Sequence, residues 1–216
     1  MQIDISVMSQ DIQYKLISST VIPRPIALIT IYGKESGDNA APFSFFNVMG
    51  KNPPVLVVGL ETRGHDKSLK DTTINIMKNG QFVIHMVNED LGQAMNICAI
   101  YFPTGVSETD MAGLTLAPST SIKPTRIVEA PVAFECGKIT FLQISRDRNI
   151  VVDKVLMMHV RDGLFDPKTF YIEPEKYHPI ERMFGQLYTR TRDHLKMTVP
   201  SYDGWKKIIP DELPGS

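Results

Sequence analysis

Two long β-type runs, 134–145 and 149–160, dominate the second half of the chain and are separated only by Arg146, Asp147 and Arg148. They read as paired long strands joined by a turn. The first half repeats the theme. The stretch 21–32 is rich in β-branched and apolar residues, and its second half reads as a buried strand. Pro23 and Pro25 cannot donate to a ladder, so its first half must be an edge or a bulge. The turn cluster 33–39 leads into a second strand at 40–48, the two forming a hairpin, and a third strand follows at 54–60.

Helical signals are confined to the middle. Residues 68–79 read as a helix, with Ser68 as N-cap, Asp71 three residues on, and Gly80 as the stop. Leu69, Thr73, Ile76 and Met77 fall on one face of it. A strand at 81–87 is followed by a helix opened by Asn88, Glu89 and Asp90, with Leu91, Met95 and Cys98 on its inner face. Residues 1–13 read as a loosely held lead-in, 103–125 as a long ordered loop, and the tail after Phe165 as an extended segment wrapped on the domain. Strands outnumber helices, which points to a mainly β fold with an α insert: an antiparallel barrel or sandwich, not a doubly wound sheet. The glycine fingerprint of a dinucleotide-binding sheet is absent, as that reading requires.

The 216 residues suit one generous domain with a core large enough to need no disulfide staples. The formal net charge of -1 supplies no basic surface for nucleic acid. Cys98 and Cys136 form no Cys-x-x-Cys pair, and the five histidines fall in no metal-ligand spacing. The expectation is two reduced core thiols and no metal. The N-terminus lacks the pattern of a signal peptide, and apolar runs such as 53–60 are too short to cross a bilayer. The expected location is the cytoplasm, without a membrane association.

Three places carry chemistry. Arg24 stands between two prolines in an apolar run. It reads either as a strand-end arginine reaching solvent or as a planar fork aimed at an anion. In the run 65–73, Lys67 and Lys70 flank a helix start whose macrodipole is already positive. Either Asp66 and Asp71 balance them in a solvated turn, or the lysines, Ser and Thr hydroxyls and free amides wait for an anion. In 39–47, Ala40, Ala41 and Ser44 would permit close approach of a planar cofactor, and Phe43, Phe45 and Phe46 would supply apolar surface. An ordinary core strand explains the phenylalanines equally well. Ser44 and Asn47 are polar on a buried strand and need partners. His159 ends an apolar run and reads more simply as a satisfied core histidine. Arg182, Gly185 and Tyr188 lie in the tail, where the tyrosine could cover a ring or simply pack. The spacing suggests no nucleophile or acid–base constellation, so no catalytic side chain is assigned, and a cofactor could carry the reaction.

Taken together, the ordered motifs resemble the flavin reductase-like family. They are Pro-Arg-Pro-Ile-Ala at 23–27, Asn-Ala-Ala-Pro-Phe-Ser-Phe-Phe-Asn at 39–47, Pro-Pro-Val at 53–55, Lys-Asp-Thr at 70–72 with Asn75, Gly-Leu-Thr at 113–115 and Ala-Pro-Val-Ala-Phe-Glu-Cys at 130–136. The resemblance runs from about Tyr14 to Tyr188. It implies an FMN-binding split β-barrel over 14–190, with 1–13 as lead-in and 191–216 as a tail packed on the domain or on a partner subunit. It also implies a homodimer with the flavin near the subunit interface, and hydride transfer from NADH or NADPH to FMN, sometimes in service of a partner monooxygenase. Some members, such as flavoredoxin, act instead as electron carriers for an acceptor protein.

Carried over onto this chain, the resemblance makes Arg24, Pro25, Ile26 and Ala27 one wall of the flavin site. Ala41, Pro42, Phe43, Ser44, Phe45 and Phe46 form the ring-binding strand, with Asn47 beside it. Lys67, Lys70 and Thr72 are donors from the helix start, and His159 and Tyr188 approach the site. Two positions depart from the family pattern: Asp153-Lys154 replaces a common Gly-Glu, and Phe184 replaces a glycine before Gly185.

Overall fold

The computed structural model describes residues 1–33, 37–62, 68–103 and 105–206. After a short 3₁₀ turn at Ile5–Val7, helix α1 spans Gln10–Thr20. Strands β1 (Ala27–Gly33), β2 (Gly37–Phe43), β3 (Phe46–Lys51) and β4 (Pro54–Glu61) precede helix α2 (Asp71–Asn79) and strand β5 (Gln81–Met86). Helices α3 (Gly92–Ile97) and α4 (Glu108–Met111) lead to the short strands β6 (Leu116–Ala117) and β7 (Arg126–Ile127). The long strands β8 (Val132–Gln143) and β9 (Arg148–Val160) follow. The tail holds α5 (Pro174–Tyr177), the hairpin β10 (Ile180–Arg182) and β11 (Tyr188–Arg190), and α6 (Tyr202–Lys206).

Seven strands form one sheet in the order β2-β1-β5-β8-β9-β4-β3, every neighbouring pair antiparallel. The two edges, β2 and β3, are consecutive in the chain. Joining them through Ser44 and Phe45 makes the sheet curl, which gives the mainly β split barrel that the sequence implies. The interior holds Ala27, Ile29, Ile31, Phe43, Phe46, Val58, Ile76, Phe82 and Ile84. The outer face of β1 carries Ile26, just before β1, and Leu28 on its outer face pack with Val87, Leu91, Met95 and Cys98 at α3. Both faces of β1 are therefore covered, so it reads as a continuous apolar run and not as an alternating one. Among the described residues no helix is long and apolar enough to cross a membrane.

Several expectations need correction. The expected single strand over 40–48 is broken at Ser44. Phe43 and Phe46 both point into the core, and residues three apart on one strand would face opposite sides. A turn between them resolves the conflict. The adjoining backbone is tight: a Cβ on Gly59 would lie 2.9 Å from Phe45 Cβ, so only glycine fits there. The helix expected over 68–79 starts at Asp71, and its N-cap is Lys70 without a side-chain capping bond, not Ser68. Its end at Gly80 is as expected, with φ of 68°. Met77, expected on one face with Thr73 and Ile76, is exposed, whereas those two are buried. Helix α1 begins inside the supposed lead-in. Ser18 is its one buried residue, so it carries almost no amphipathic signal. The loop 103–125 contains α4 and β6. Cys98 and Cys136 are free and buried, as expected.

Candidate functional site

A cleft of about 710 Å³ opens where α1, β2, α3 and the tail hairpin meet. Tyr14, Ile26, Phe43 and Met95 give it apolar and aromatic wall. Ser44, Lys70, Asn96, Arg182, Gln186 and Tyr188 give it polar groups. Such a volume, in which polar groups converge on apolar and aromatic wall, is that of a small-molecule site. Pro42, Lys70 and Ala99 also border a narrower arm of about 220 Å³, reaching between β2 and the start of α2. On the other side, Met95, Asn96, Gln186 and Tyr188 are shared with an outer pocket of about 450 Å³. The cleft is thus a passage between the arm and the outer pocket.

The arm is built around the first turn of α2. The Lys70 ammonium stands 5.5 Å from the centre of the Phe43 ring, at the junction of arm and cleft. Because Lys70 leaves the helix end uncapped by its side chain, the first-turn amides and the macrodipole favour an anion there. Thr72 is buried and donates through its hydroxyl to Asn39 Oδ1 at 2.7 Å. Asn39 Nδ2 donates to Glu108 Oε1 at 3.0 Å, and the Ala40 amide donates to Glu108 Oε2 at 3.3 Å. The Glu108 carboxylate that borders the arm is thereby engaged by β2. Asp71 borders the arm as well. Cys98 lies against it, its thiol pushed up to about 12 by burial and by the nearby Glu108, so it stays protonated at neutral pH.

Arg24 takes neither of the roles open to it from sequence. It is 6% exposed, so it does not reach solvent. Its Nη1 donates to the carbonyls of Ser18 (2.5 Å) and Val21 (2.7 Å), and Nη2 donates to Met183 O at 2.5 Å. The guanidinium ties the end of α1 to the tail. Burial lowers its pKa, and the neighbouring charge of Arg182 acts in the same direction against Tyr14.

Of the other expected residues, Ile26, Pro42, Phe43, Ser44 and Lys70 border the cleft together with Tyr188, and Ala41 and Thr72 border the arm. Pro25 and Ala27 flank Ile26, and Ala27 points into the barrel. Phe46 is core, and Phe45 packs edge-on to Tyr14 at 6.3 Å. Asn47 is exposed on β3 and accepts from its neighbour's amide, Val48 N, so the expectation of a buried polar residue fails there. His159 lies away from the cleft, with Nε2 2.6 Å from Oε1 of the fully buried Glu135. That carboxylate also accepts from the amides of Thr120 (2.6 Å) and Ser121 (2.7 Å). Lys67 lies outside the described residues. Tyr14, Asn96, Ala99 and Gln186 border the site without any local motif that marks them. Met95 has a visible helical spacing but is indistinguishable from core by pattern, and the position of Arg182 in the tail suggests no role by itself.

Comparison with known proteins adds an independent line. A family profile described as "Flavin reductase like domain" matches residues 18–181. A protein of Aquifex aeolicus is 37% identical over 189 residues, covering 88% of this chain and 95% of the relative. The crystal structure of Pseudomonas fluorescens 2-nitrobenzoate 2-nitroreductase superposes with a TM-score of 0.84 at 36% identity, covering 94% of this chain and 98% of that one. Nitrilotriacetate monooxygenase component B from Bacillus cereus gives 0.85 at 29% identity, covering 91% and 98%.

Proposed function

The chain belongs to the flavin reductase-like family, and from that premise we propose that it is an FMN-binding oxidoreductase using NADH or NADPH as electron donor. The observation that carries this reading is the continuity of the aromatic-walled cleft with the arm at α2, through Pro42, Lys70 and Ala99. The chemistry of the donor set fits FMN. The wide part offers Tyr14, Phe43 and Tyr188 to a planar ring system, and the arm offers Lys70 and the positive end of α2 to a phosphate.

When bound, FMN would supply the two-electron redox chemistry; the chain's residues position it and exclude water. Ile26 and the 41–44 backbone form one side of the cleft. The Thr72–Asn39–Glu108 chain holds the arm in shape. Lys70, at the junction, provides positive charge that complements both a phosphate and a flavin that has gained electrons.

The homodimer belongs to the same proposal. Ile139, Leu142 and Ile144 on and beyond β8, with Leu156 and Met158 on β9, are exposed apolar side chains of the kind that a second subunit would cover. The likeness to a monooxygenase component supports delivery of reduced flavin to a partner oxygenase. The likeness to a nitroreductase supports a second reading, in which a nitroaromatic takes the electrons in the same cleft. An electron carrier for a partner protein would use the same FMN site.

The test is anaerobic mixing of FMN-reconstituted protein with NADH and, separately, NADPH. The flavin absorbance bleaches with at least one donor if the chain is a reductase. An unbleached spectrum with both removes the reductase reading.

A further inference from the structure

Arg182 and Arg190 of the tail hairpin and Arg192 just beyond it are not used alike. Arg190 and Arg192 both close on Glu89, at 2.8 and 2.5 Å. Arg182 has no carboxylate within ion-pair distance among the described residues. Its guanidinium carbon lies 4.6 Å from the centre of the Tyr188 ring, and Nη2 donates to the carbonyl of Gly185. Its other side-chain donors have no protein acceptor among the described residues.

Position makes this unused charge informative. Residues 24 and 182 form an isolated antiparallel bridge, Arg24 N to Arg182 O at 3.0 Å and Arg182 N to Arg24 O at 2.8 Å. Two cationic residues are thus held side by side by the backbone. Arg24 is turned inward onto carbonyls, whereas Arg182 borders the cleft. Tyr188, the ring on which it lies, is shared by the cleft and the outer pocket and is absent from the arm. Gln186 is shared in the same way. Arg182 therefore stands on the entrance side of the passage, opposite the Lys70 end.

From this we infer that Arg182, braced on Tyr188, is a specificity-determining residue that binds the carboxylate of a planar aromatic substrate entering from the outer pocket. The inference rests on the FMN reading above, because the cofactor's own anionic end is assigned to the arm. An unpaired guanidinium on an aromatic face presents a fixed planar fork, which suits a carboxylate and is wasted on a neutral ligand. The flanking walls, Met95 and Tyr188, give apolar and aromatic surface to a ring. Phosphate carried by a nicotinamide donor shares the anionic chemistry but not the compact planar shape.

The experiment titrates FMN-reconstituted protein with benzoate and with benzamide, reading the perturbation of the bound-flavin absorbance. The two probes have nearly the same shape and differ in charge. Wild type is expected to bind benzoate about tenfold or more tightly than benzamide. In Arg182→Gln that ratio falls toward one. Gln186→Glu leaves Arg182 in place but sets a carboxylate on the same wall, and it should lower benzoate affinity far more than benzamide affinity. This second variant decides the matter if Arg182→Gln does not fold. Equal binding of the two probes by wild type, or an undiminished benzoate preference in a folded variant, overturns the inference while leaving FMN binding intact. A protein that takes up no FMN overturns both readings.

Discussion

Thr72 Oγ1 donates to Asn39 Oδ1 over 2.7 Å, fastening the buried first turn of α2 to β2. Glu108 extends the link to α4 through Asn39 Nδ2. The shape of the arm depends on this chain of bonds, since its walls come from three separate elements. Thr72→Val keeps the volume but removes the donor, leaving Asn39 Oδ1 buried without it. We expect a loss of about 1–3 kcal/mol in stability and a severalfold weaker affinity for FMN. Urea unfolding and fluorescence quenching of FMN measure the two effects, and a variant unchanged in both would show that the link is dispensable.

Arg24 is better understood as a fastener than as an anion hook. Its removal in Arg24→Ala leaves the carbonyls of Ser18, Val21 and Met183 without their donor and frees the tail from α1. The expected cost is about 2–4 kcal/mol, together with faster proteolysis of the segment after residue 180. Because the Met183 carbonyl that loses its donor adjoins Arg182, ligand affinity falls too. An unaltered urea midpoint would contradict the fastening role.

Asp153 is fully buried inside the barrel, where its carboxylate faces the weakly donating Cys136 thiol and takes no N–H or O–H hydrogen bond from the described residues. Burial raises its pKa from 3.8 to about 7. An acid with a higher pKa in the folded state binds more protons when folded. Its favourable contribution is therefore complete below the ordinary 3.8 and is lost as pH rises through about 7. The displacement sets a ceiling of about 4 kcal/mol on that loss. Asp153→Asn removes the charge, so the variant should melt higher than wild type at pH 8, with little difference between its own melting temperatures at pH 5 and pH 8. A wild-type melting temperature that is flat or rising over that interval would contradict the assignment.

Much of the architecture was legible because it is written in local pattern. The apolar run of β1, the paired length of β8 and β9, and the αL stop at Gly80 each follow from residues close in sequence. The break between β2 and β3 was not, because it arises from a shared core demanding both Phe43 and Phe46. Helix α1 escaped notice because its partners are distant and its faces are nearly alike. At the site, Lys70 and the 41–44 strand were visible through residue type. Arg182, Gln186 and Asn96 were not assigned, since only the folding of the tail against α3 brings them to the cleft. His159 illustrates the converse: a chemically suggestive residue whose nitrogen is committed to the buried Glu135.

In the proposed complex one continuous cleft holds a flavin ring at one end and its phosphate at the Lys70 end. Comparison of FMN with riboflavin, titrated against the same protein and read by flavin fluorescence, tests it most directly because the two ligands differ only in the phosphate. FMN is expected to bind at least about tenfold more tightly, the worth of a charge-assisted phosphate contact. Equal affinities, or no binding of either ligand, would contradict it.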